Sequence, residues 1–212
     1  MRFFESNDMV KAGCHDCQGC FACCQGMGDA ILLDALDIYN LSGHLGKGFE
    51  ALMEDCVALH VEDGLILPHL KMEGAKESCV FLNGAGRCSI HAFRPGLCRT
   101  FPLGRNYENG RLNYFLVEGE CPQKNRTKVK VEKWIDTPDF QRNREFLIQW
   151  HYLIKALKDK IAGMAAENRD DAIQELNLFF LQTFFVMPYE TEIDFYSQFE
   201  MRRRATEERY ME

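Results

Sequence analysis

Ten cysteines constrain the fold of this 212-residue sequence more than any other feature. They are Cys14, Cys17, Cys20, Cys23, Cys24, Cys56, Cys79, Cys88, Cys98 and Cys121. We expect a cytoplasmic protein, because Glu5 and Asp8 interrupt the apolar run that a secretory signal requires. Since the cytosol keeps thiols reduced, this density of cysteines predicts a metal-binding or catalytic segment before it predicts a disulfide framework.

The composition is that of an ordinary globular protein, with 46% hydrophobic and 27% charged residues. The net charge of -7 disfavours generic binding to nucleic acid or to an anionic membrane, because both depend on summed positive potential. The most apolar stretch, residues 176–186, is interrupted by Gln182 and Thr183 and is too short to span a bilayer. We therefore expect neither nucleic acid nor membrane as a partner.

The distribution of cysteines predicts two parts: a metal-binding module over residues 1–135 and a helical extension over residues 136–212, packed on the first part. In the module, helical spacing of apolar residues predicts short helices that begin near Asp34 and Lys47. In the extension, the same criterion predicts three helices, at residues 140–164, 170–186 and 191–208.

Short strands are predicted between these helices. Brief apolar segments at residues 65–67, 79–82 and 88–91 are separated by turns that contain glycine. Asn109-Gly110 precedes another apolar run and predicts a hairpin, and the alternation over residues 126–131 predicts a further strand or extended arm. The expected fold class is α+β: an irregular, cysteine- and metal-nucleated module of short antiparallel strands and short helices, followed by a roughly three-helix C-terminal part.

The first cysteines have the spacing of a thiolate metal site. Two intervening residues let a tight turn direct both sulfurs toward one ion, about 2.3 Å from each. The order C-x2-C-x2-C-x3-C of bacterial ferredoxins is reproduced by Cys14, Cys17, Cys20 and Cys24. This spacing favours an iron-sulfur cluster over zinc, although Gln25 replaces the usual proline and the run occurs once.

These residues resemble the YkgJ-like cysteine-cluster family, whose domain is described as zinc- or iron-chelating. The resemblance rests on residues 17–24, 79–82, 88–102 and 121–122, which include the run Arg94-Pro-Gly-Leu-Cys-Arg-Thr-Phe-Pro. It implies eight metal-directed thiolates: Cys17, Cys20, Cys23, Cys24, Cys79, Cys88, Cys98 and Cys121. Cys14 is an additional candidate ligand that can replace a neighbour, whereas Cys56 has the helical spacing of a small core residue.

Three functions are compatible with this pattern. The first is a metal-binding protein that holds one or two [4Fe-4S] clusters in a redox or cofactor-module role. The second is a protein-modifying enzyme, because the resemblance extends distantly to a flagellin lysine methylase; no catalytic residue is identified, and no glycine-rich nucleotide loop follows a predicted strand. The third is a structural zinc protein, since thiolates suit both metals. In each case we expect a protein partner or a protein substrate.

Residues beside the cysteines leave two further alternatives open. Arg94 and Arg99 flank Cys98, where their guanidinium groups can donate to thiolates or to an anionic substrate, or else pair with surface carboxylates. His91 follows Cys88 at an interval compatible with a mixed ligand pair. We favour a non-ligand role for His91, because eight thiolates already fill two tetrahedral sites.

A basic face is predicted after the last cysteine, at Lys124, Arg126, Lys128 and Lys130. In an acidic chain this pattern is more typical of a solvated strand face than of a site for an acidic partner or RNA.

Overall fold

The computed structural model describes residues 1–14, 20–166 and 169–211. Helices and short antiparallel strands alternate along them, which confirms the expected α+β class. The strands of these residues are β1 (Phe3–Phe4), β2 (Met9–Gly13), β3 (Val57–Glu62), β4 (Leu65–Leu70), β5 (Met72–Glu73), β6 (Ser78–Cys79), β7 (Leu103–Glu108), β8 (Arg111–Leu116) and β9 (Thr127–Lys130). Their α-helices are α1 (Ala35–Leu45), α2 (Phe49–Asp55), α3 (Gly96–Thr100), α4 (Val131–Ile135), α5 (Phe140–Ala162), α6 (Arg169–Leu181) and α7 (Phe195–Tyr210).

The chain forms two compact units, each assembled from two separate stretches of sequence. The first unit consists of Met1–Ile31 and Leu70–Ile148, and the second of Leu32–His69 and Gln149–Glu212. These units are defined by packing, whereas the division expected at residue 135 followed the distribution of cysteines and stays a prediction. All the cysteines except Cys56 belong to the stretches of the first unit.

The first unit contains a three-stranded antiparallel sheet in the order β1-β8-β7. The β7–β8 hairpin turns at Asn109 and Gly110, whose φ values of 50° and 72° are those that a type I′ turn requires. The predicted hairpin is confirmed. Leu112 and Tyr114 of β8 are each 1% exposed and form the core on one face of this sheet.

A second ribbon of the first unit joins distant parts of the chain, because β2 pairs antiparallel with β9. The alternating run over residues 126–131 therefore does form a strand, and its partner, Met9–Gly13, carried no comparable signal in the sequence. Directly after β9 the chain enters α4, in which Val131 and Ile135 are buried.

Two of the predicted strand segments are largely turns. Of the segment 79–82, only Cys79 lies in a strand, β6. In the segment 88–91, Cys88 forms an isolated bridge to Leu82 before a 3₁₀ turn, His91–Phe93. The reason is the loop between them: the side-chain oxygen of Asn83 accepts hydrogen bonds from the backbone N–H groups of Ala85 and Arg87, both at 3.0 Å. An Asx-type turn of this kind replaces ladder pairing.

The second unit begins with α1, which the sequence predicted from Asp34. Asp34 and Asp37 form a reciprocal capping box, and the helix ends at Gly46 with φ of 64°. The β3–β4 hairpin of this unit is attached to α6 by the buried Asn177: its Oδ1 accepts from the Ile66 N–H at 2.7 Å, and its Nδ2 donates to the Gly64 carbonyl at 2.9 Å.

The helical part of the second unit packs around aromatic side chains. Trp150 of α5 contacts Phe180, Phe184, Phe185 and Phe199, with ring centroids 5.3 to 6.2 Å apart. Within the described residues, α5, α6 and α7 match the three predicted helices, except that the predicted second helix changes to a π-helix over Gln182–Val186. None of the described helices is both long and apolar enough to cross a bilayer.

Candidate metal centre

Six cysteines line one cavity of the first unit, which we call the thiol cavity. Its volume is about 230 Å³. The cysteines that line it are Cys20, Cys23, Cys24, Cys79, Cys88 and Cys98. The rest of its wall is mainly apolar and includes Phe21, Ile31, Leu70, Phe81 and Trp134. Thiols from four separate stretches of sequence therefore face a common, mostly apolar space.

Short elements position these thiols. Cys23 and Cys24 lie on a 3₁₀ turn, Ala22–Cys24, Cys79 ends β6, and Cys98 lies in the middle of α3. These elements are only two to five residues long, so the cysteines are held by turns rather than by long regular structure.

The first cysteine segment is attached directly to the strand that carries Cys79. Gln25 Nε2 donates to Ser78 Oγ at 2.9 Å, and the backbone N–H of Gly26 donates to the Glu77 carbonyl at 3.0 Å. Gln25 stands where ferredoxins place proline, so this departure from the ferredoxin pattern has a structural role: it holds two cysteine segments side by side.

The adjacent thiols Cys23 and Cys24 share a hydrogen bond that separates their acidities. The bond from Cys24 lowers the pKa of Cys23 to about 7, more than burial raises it, and the positive charge of Arg94 contributes in the same direction as the bond. The same bond raises the pKa of Cys24, because its proton is held between the two sulfurs, and burial adds to this. Cys23 is thus the more acidic thiol of the pair.

Burial is the largest influence on the pKa of the two cysteines from the middle of the chain, Cys79 and Cys88. It raises the pKa of Cys79 and of Cys88, while backbone N–H groups of Phe81 and Ile90, respectively, oppose this by hydrogen bonding to the sulfurs. Arg94 also lowers the pKa of Cys88. Backbone donors therefore already point toward sulfur in this cavity, as they do around metal-bound thiolates, and the charge of Arg94 acts in the same direction.

The remaining candidate ligands are placed as follows. Cys14 is buried and lies on a neighbouring cavity, and Cys121 is half-buried; neither is among the residues that line the thiol cavity. Cys17 falls outside the described residues. Cys56, whose spacing suggested a core role, is 2% exposed in the second unit at the end of α2.

All nine cysteines of the described ranges are free thiols. Among the side chains of residues 1–14, 20–166 and 169–211, no three His, Cys, Asp or Glu residues are close enough to form a coordination group. The thiols thus share a cavity without touching a common point. The assignment of individual ligands stays a prediction.

Arg94 and Arg99 have separate roles. Arg99 donates to the backbone carbonyls of Arg94 at 3.2 Å and of Asp136 at 2.9 Å, and also to that of Ala92. Arg94 contacts His91 Nε2 through Nη1, and its Nε–H is buried without a hydrogen-bond partner in the described part of the chain. The contacts of Arg99 are thus to backbone carbonyls and that of Arg94 is to a histidine ring.

Trp134 is a wall residue that sequence reasoning missed. Its indole N–H donates to the carbonyls of Thr100 and Phe101, at 3.3 and 3.1 Å, which fixes the ring against the segment that follows Cys98. No motif marks this tryptophan; the only signal in the sequence was its position in the apolar pattern after residue 126.

The donor set fits a thiophilic metal group. Six thiols on one cavity suit zinc or iron-sulfur ligation, because thiolates are soft ligands. The described residues that line this cavity include no Asp or Glu, the ligands that a hard cation prefers. The unsatisfied Nε–H of Arg94 is a donor that an anionic metal-thiolate group would satisfy.

The family comparison agrees with this chemistry. A family model, CxxCxxCC, described as "Putative zinc- or iron-chelating domain", matches residues 16–132. This range covers more than half of the chain and contains all six cysteines of the thiol cavity. No curated protein and no solved structure matches the sequence.

Proposed function

The chain belongs to the CxxCxxCC family, described as a "Putative zinc- or iron-chelating domain", and we propose that its thiols hold an iron-sulfur cluster, one or two of the [4Fe-4S] type, in a redox or cofactor-module role. The residues proposed to supply the ligands are Cys17, Cys20, Cys23, Cys24, Cys79, Cys88, Cys98 and Cys121, with Cys14 as a further candidate.

The observation that carries the proposal is the size of the thiol cavity relative to its six thiols. A site needs about 10–15 Å³ of water-accessible volume to hold one water molecule. The thiol cavity offers about 230 Å³ of such volume beside a mainly apolar wall. Space for a polynuclear group, surrounded by thiols from four segments, supports a cluster over one isolated zinc ion.

The protein would contribute three things to such a site. The thiol cavity would supply the sulfur ligands and a mainly apolar wall around them, and Arg94 offers an unsatisfied donor to the negative charge that bound thiolates carry. When bound, the cluster would supply one-electron transfer at a potential set by these hydrogen bonds and by burial.

A protein partner is proposed from the edge of the same cavity. Phe21 lines the thiol cavity and is 39% exposed. An exposed aromatic ring beside a redox group would offer a contact for a partner that exchanges electrons or receives the cluster. The protein-modifying activity and the cytoplasmic location considered above stay predictions.

Metal analysis of anaerobically purified protein tests the proposal. We expect iron and acid-labile sulfide in stoichiometric amounts and broad visible absorption. Cys98→Ala, which removes a thiol from the cavity, is expected to lower iron content strongly, whereas Cys56→Ala, a buried thiol of the second unit, is the matched control and should retain it.

Two outcomes would contradict the proposal. Folded protein that is colourless and contains stoichiometric zinc would favour the structural-zinc alternative, with the same cysteines as ligands. Equal loss of metal in Cys98→Ala and Cys56→Ala would mean that the thiol cavity has no special part in binding.

A further inference from the structure

A second cavity of the first unit, of about 490 Å³, has a basic wall; we call it the basic cavity. It lies between β9, α4 and the segment that includes the 3₁₀ turn His91–Phe93. Its basic side chains are His91, Arg94, Arg99, Lys128 and Lys133. The carboxylate in its lining is that of Asp136. Among the described residues that line it, five basic groups accompany one acidic group, in a protein whose net charge is -7.

The lysines of this cavity are not neutralised by neighbours. Lys128 and Lys133 are exposed, and neither forms a hydrogen bond or ion pair with any residue of the described ranges. By contrast Lys130, on the same strand as Lys128, has Asn7 and Glu132 as partners at 3.5 and 3.9 Å. The charges of these two lysines therefore remain available to a ligand.

Arg99 is held in place by the backbone. Arg99 is fixed by the carbonyls of Ala92, Arg94 and Asp136, so its position costs little entropy when a ligand binds. A preorganised guanidinium group beside two exposed ammonium groups is a combination that recognises carboxylate and phosphate oxygens.

Compensation of thiolate charge does not account for this arrangement. His91, Arg94 and Trp134 line both cavities, but Arg99, Lys128 and Lys133 line the basic cavity and not the thiol cavity. The two cavities are therefore neighbours that share a wall, and the described thiol that lines the basic cavity is Cys14. One thiolate together with the carboxylate of Asp136 would still leave the charges of Arg99, Lys128 and Lys133 in excess.

We propose that the basic cavity binds a small organic anion through an oxyanion head group, a carboxylate or a phosphate. Lys128, Lys133 and Arg99 attract and orient the head group, and the Trp134 ring and Val129 provide an apolar surface for the rest of the molecule. The bound anion would lie across one wall from the thiols. This inference rests on the basic cavity alone and does not depend on which metal the thiols hold.

Calorimetric titration of the full-length protein, as isolated and at low ionic strength, tests the proposal with two probes: inorganic phosphate and succinate. We expect saturable binding of one ion per chain with at least one probe. Phosphate alone would assign a phosphate head group, succinate alone a carboxylate, and both a general oxyanion site.

The variants are chosen for equal change in net charge. Lys128→Ala/Lys133→Ala should raise the dissociation constant about fivefold or more, since exposed charge pairs each contribute a few-fold. Lys76→Ala/Lys124→Ala removes two exposed lysines that do not line the basic cavity. This double variant should change the dissociation constant by less than about twofold.

The proposal is overturned if neither probe gives saturable binding, or if the two double variants lose affinity equally, which would indicate diffuse charge attraction. Metal content, measured in the same samples, distinguishes the two proposals. A protein that lacks iron but binds the anion contradicts only the proposed iron-sulfur cluster. An iron-loaded protein that binds no anion contradicts only the proposed anion site in the basic cavity.

Discussion

Cys24 donates a hydrogen bond to the sulfur of its neighbour Cys23, and this bond sets the two thiols apart in acidity. The donor retains its proton to high pH, while the acceptor has a pKa of about 7. In the metal-free protein, one sulfur of the vicinal pair is thus ready to act as a ligand at neutral pH.

Alkylation of the reduced, chelator-treated protein should reveal this difference. The thiolate is the nucleophile, so the modification rate of Cys23 should rise with pH through a midpoint near 7, whereas Cys88, whose pKa burial raises, should react at higher pH. Peptide mass spectrometry at several pH values measures both midpoints. Cys24→Ala removes the donor and should move the Cys23 midpoint upward; an unchanged midpoint would disprove the role of the hydrogen bond.

Arg99→Lys should destabilise the first unit by about 1–3 kcal/mol. A lysine ammonium has no planar fork, so it cannot reach the carbonyls of Ala92, Arg94 and Asp136 together, and polar groups lose their partners. Urea unfolding measures the change. Arg111→Lys, an exposed site on β8, is the control and should stay within about 0.5 kcal/mol of the wild type. Equal effects would show that the fork of Arg99 contributes nothing specific.

Asn177→Ala should lower the free energy of unfolding by about 2–4 kcal/mol. The substitution leaves the Ile66 N–H and the Gly64 carbonyl without the amide that now pairs with both, in a position that is 3% exposed. Gln174→Ala removes an exposed amide from the same helix and serves as the control. Denaturant unfolding followed by far-UV circular dichroism compares them. A cost below about 0.5 kcal/mol would mean that water replaces the amide.

Tyr114 should make the first unit sensitive to alkali. Burial raises the pKa of its phenol from 10.0 to about 12, so the folded state holds the proton more tightly than the unfolded state does. This contribution is complete below pH 10 and is lost as the pH rises toward 12, with a maximum of about 2–3 kcal/mol. Between about pH 9 and about pH 11, the wild type should therefore lose more stability than Tyr114→Phe.

Tyr152→Phe, at a half-buried position of α5, is the control for that measurement. It should follow the wild type over the same pH range. A Tyr114→Phe protein that loses stability as steeply as the wild type would show that other groups cause the alkaline loss.

Local signals in the sequence determined several parts of this protein. The capping residue Asp34 and the Asn109-Gly110 turn each act over a few residues, so they place a helix start and a hairpin without tertiary information. The thiol-rich segments and the family they indicate were also evident, because metal-ligand spacing is a local property. The class α+β follows from these elements together.

The tertiary structure alone decided which of these segments meet. Gln25 beside Ser78, β2 beside β9 and Trp134 against the thiol cavity join residues far apart in the chain. The basic cavity arises in the same way, from Arg99, Lys128 and Lys133 on separate elements. Sequence spacing cannot specify such contacts, because they depend on which buried surfaces pack together over long loops. The pairing of distant segments is set by the free energy of the whole fold rather than by any one of them.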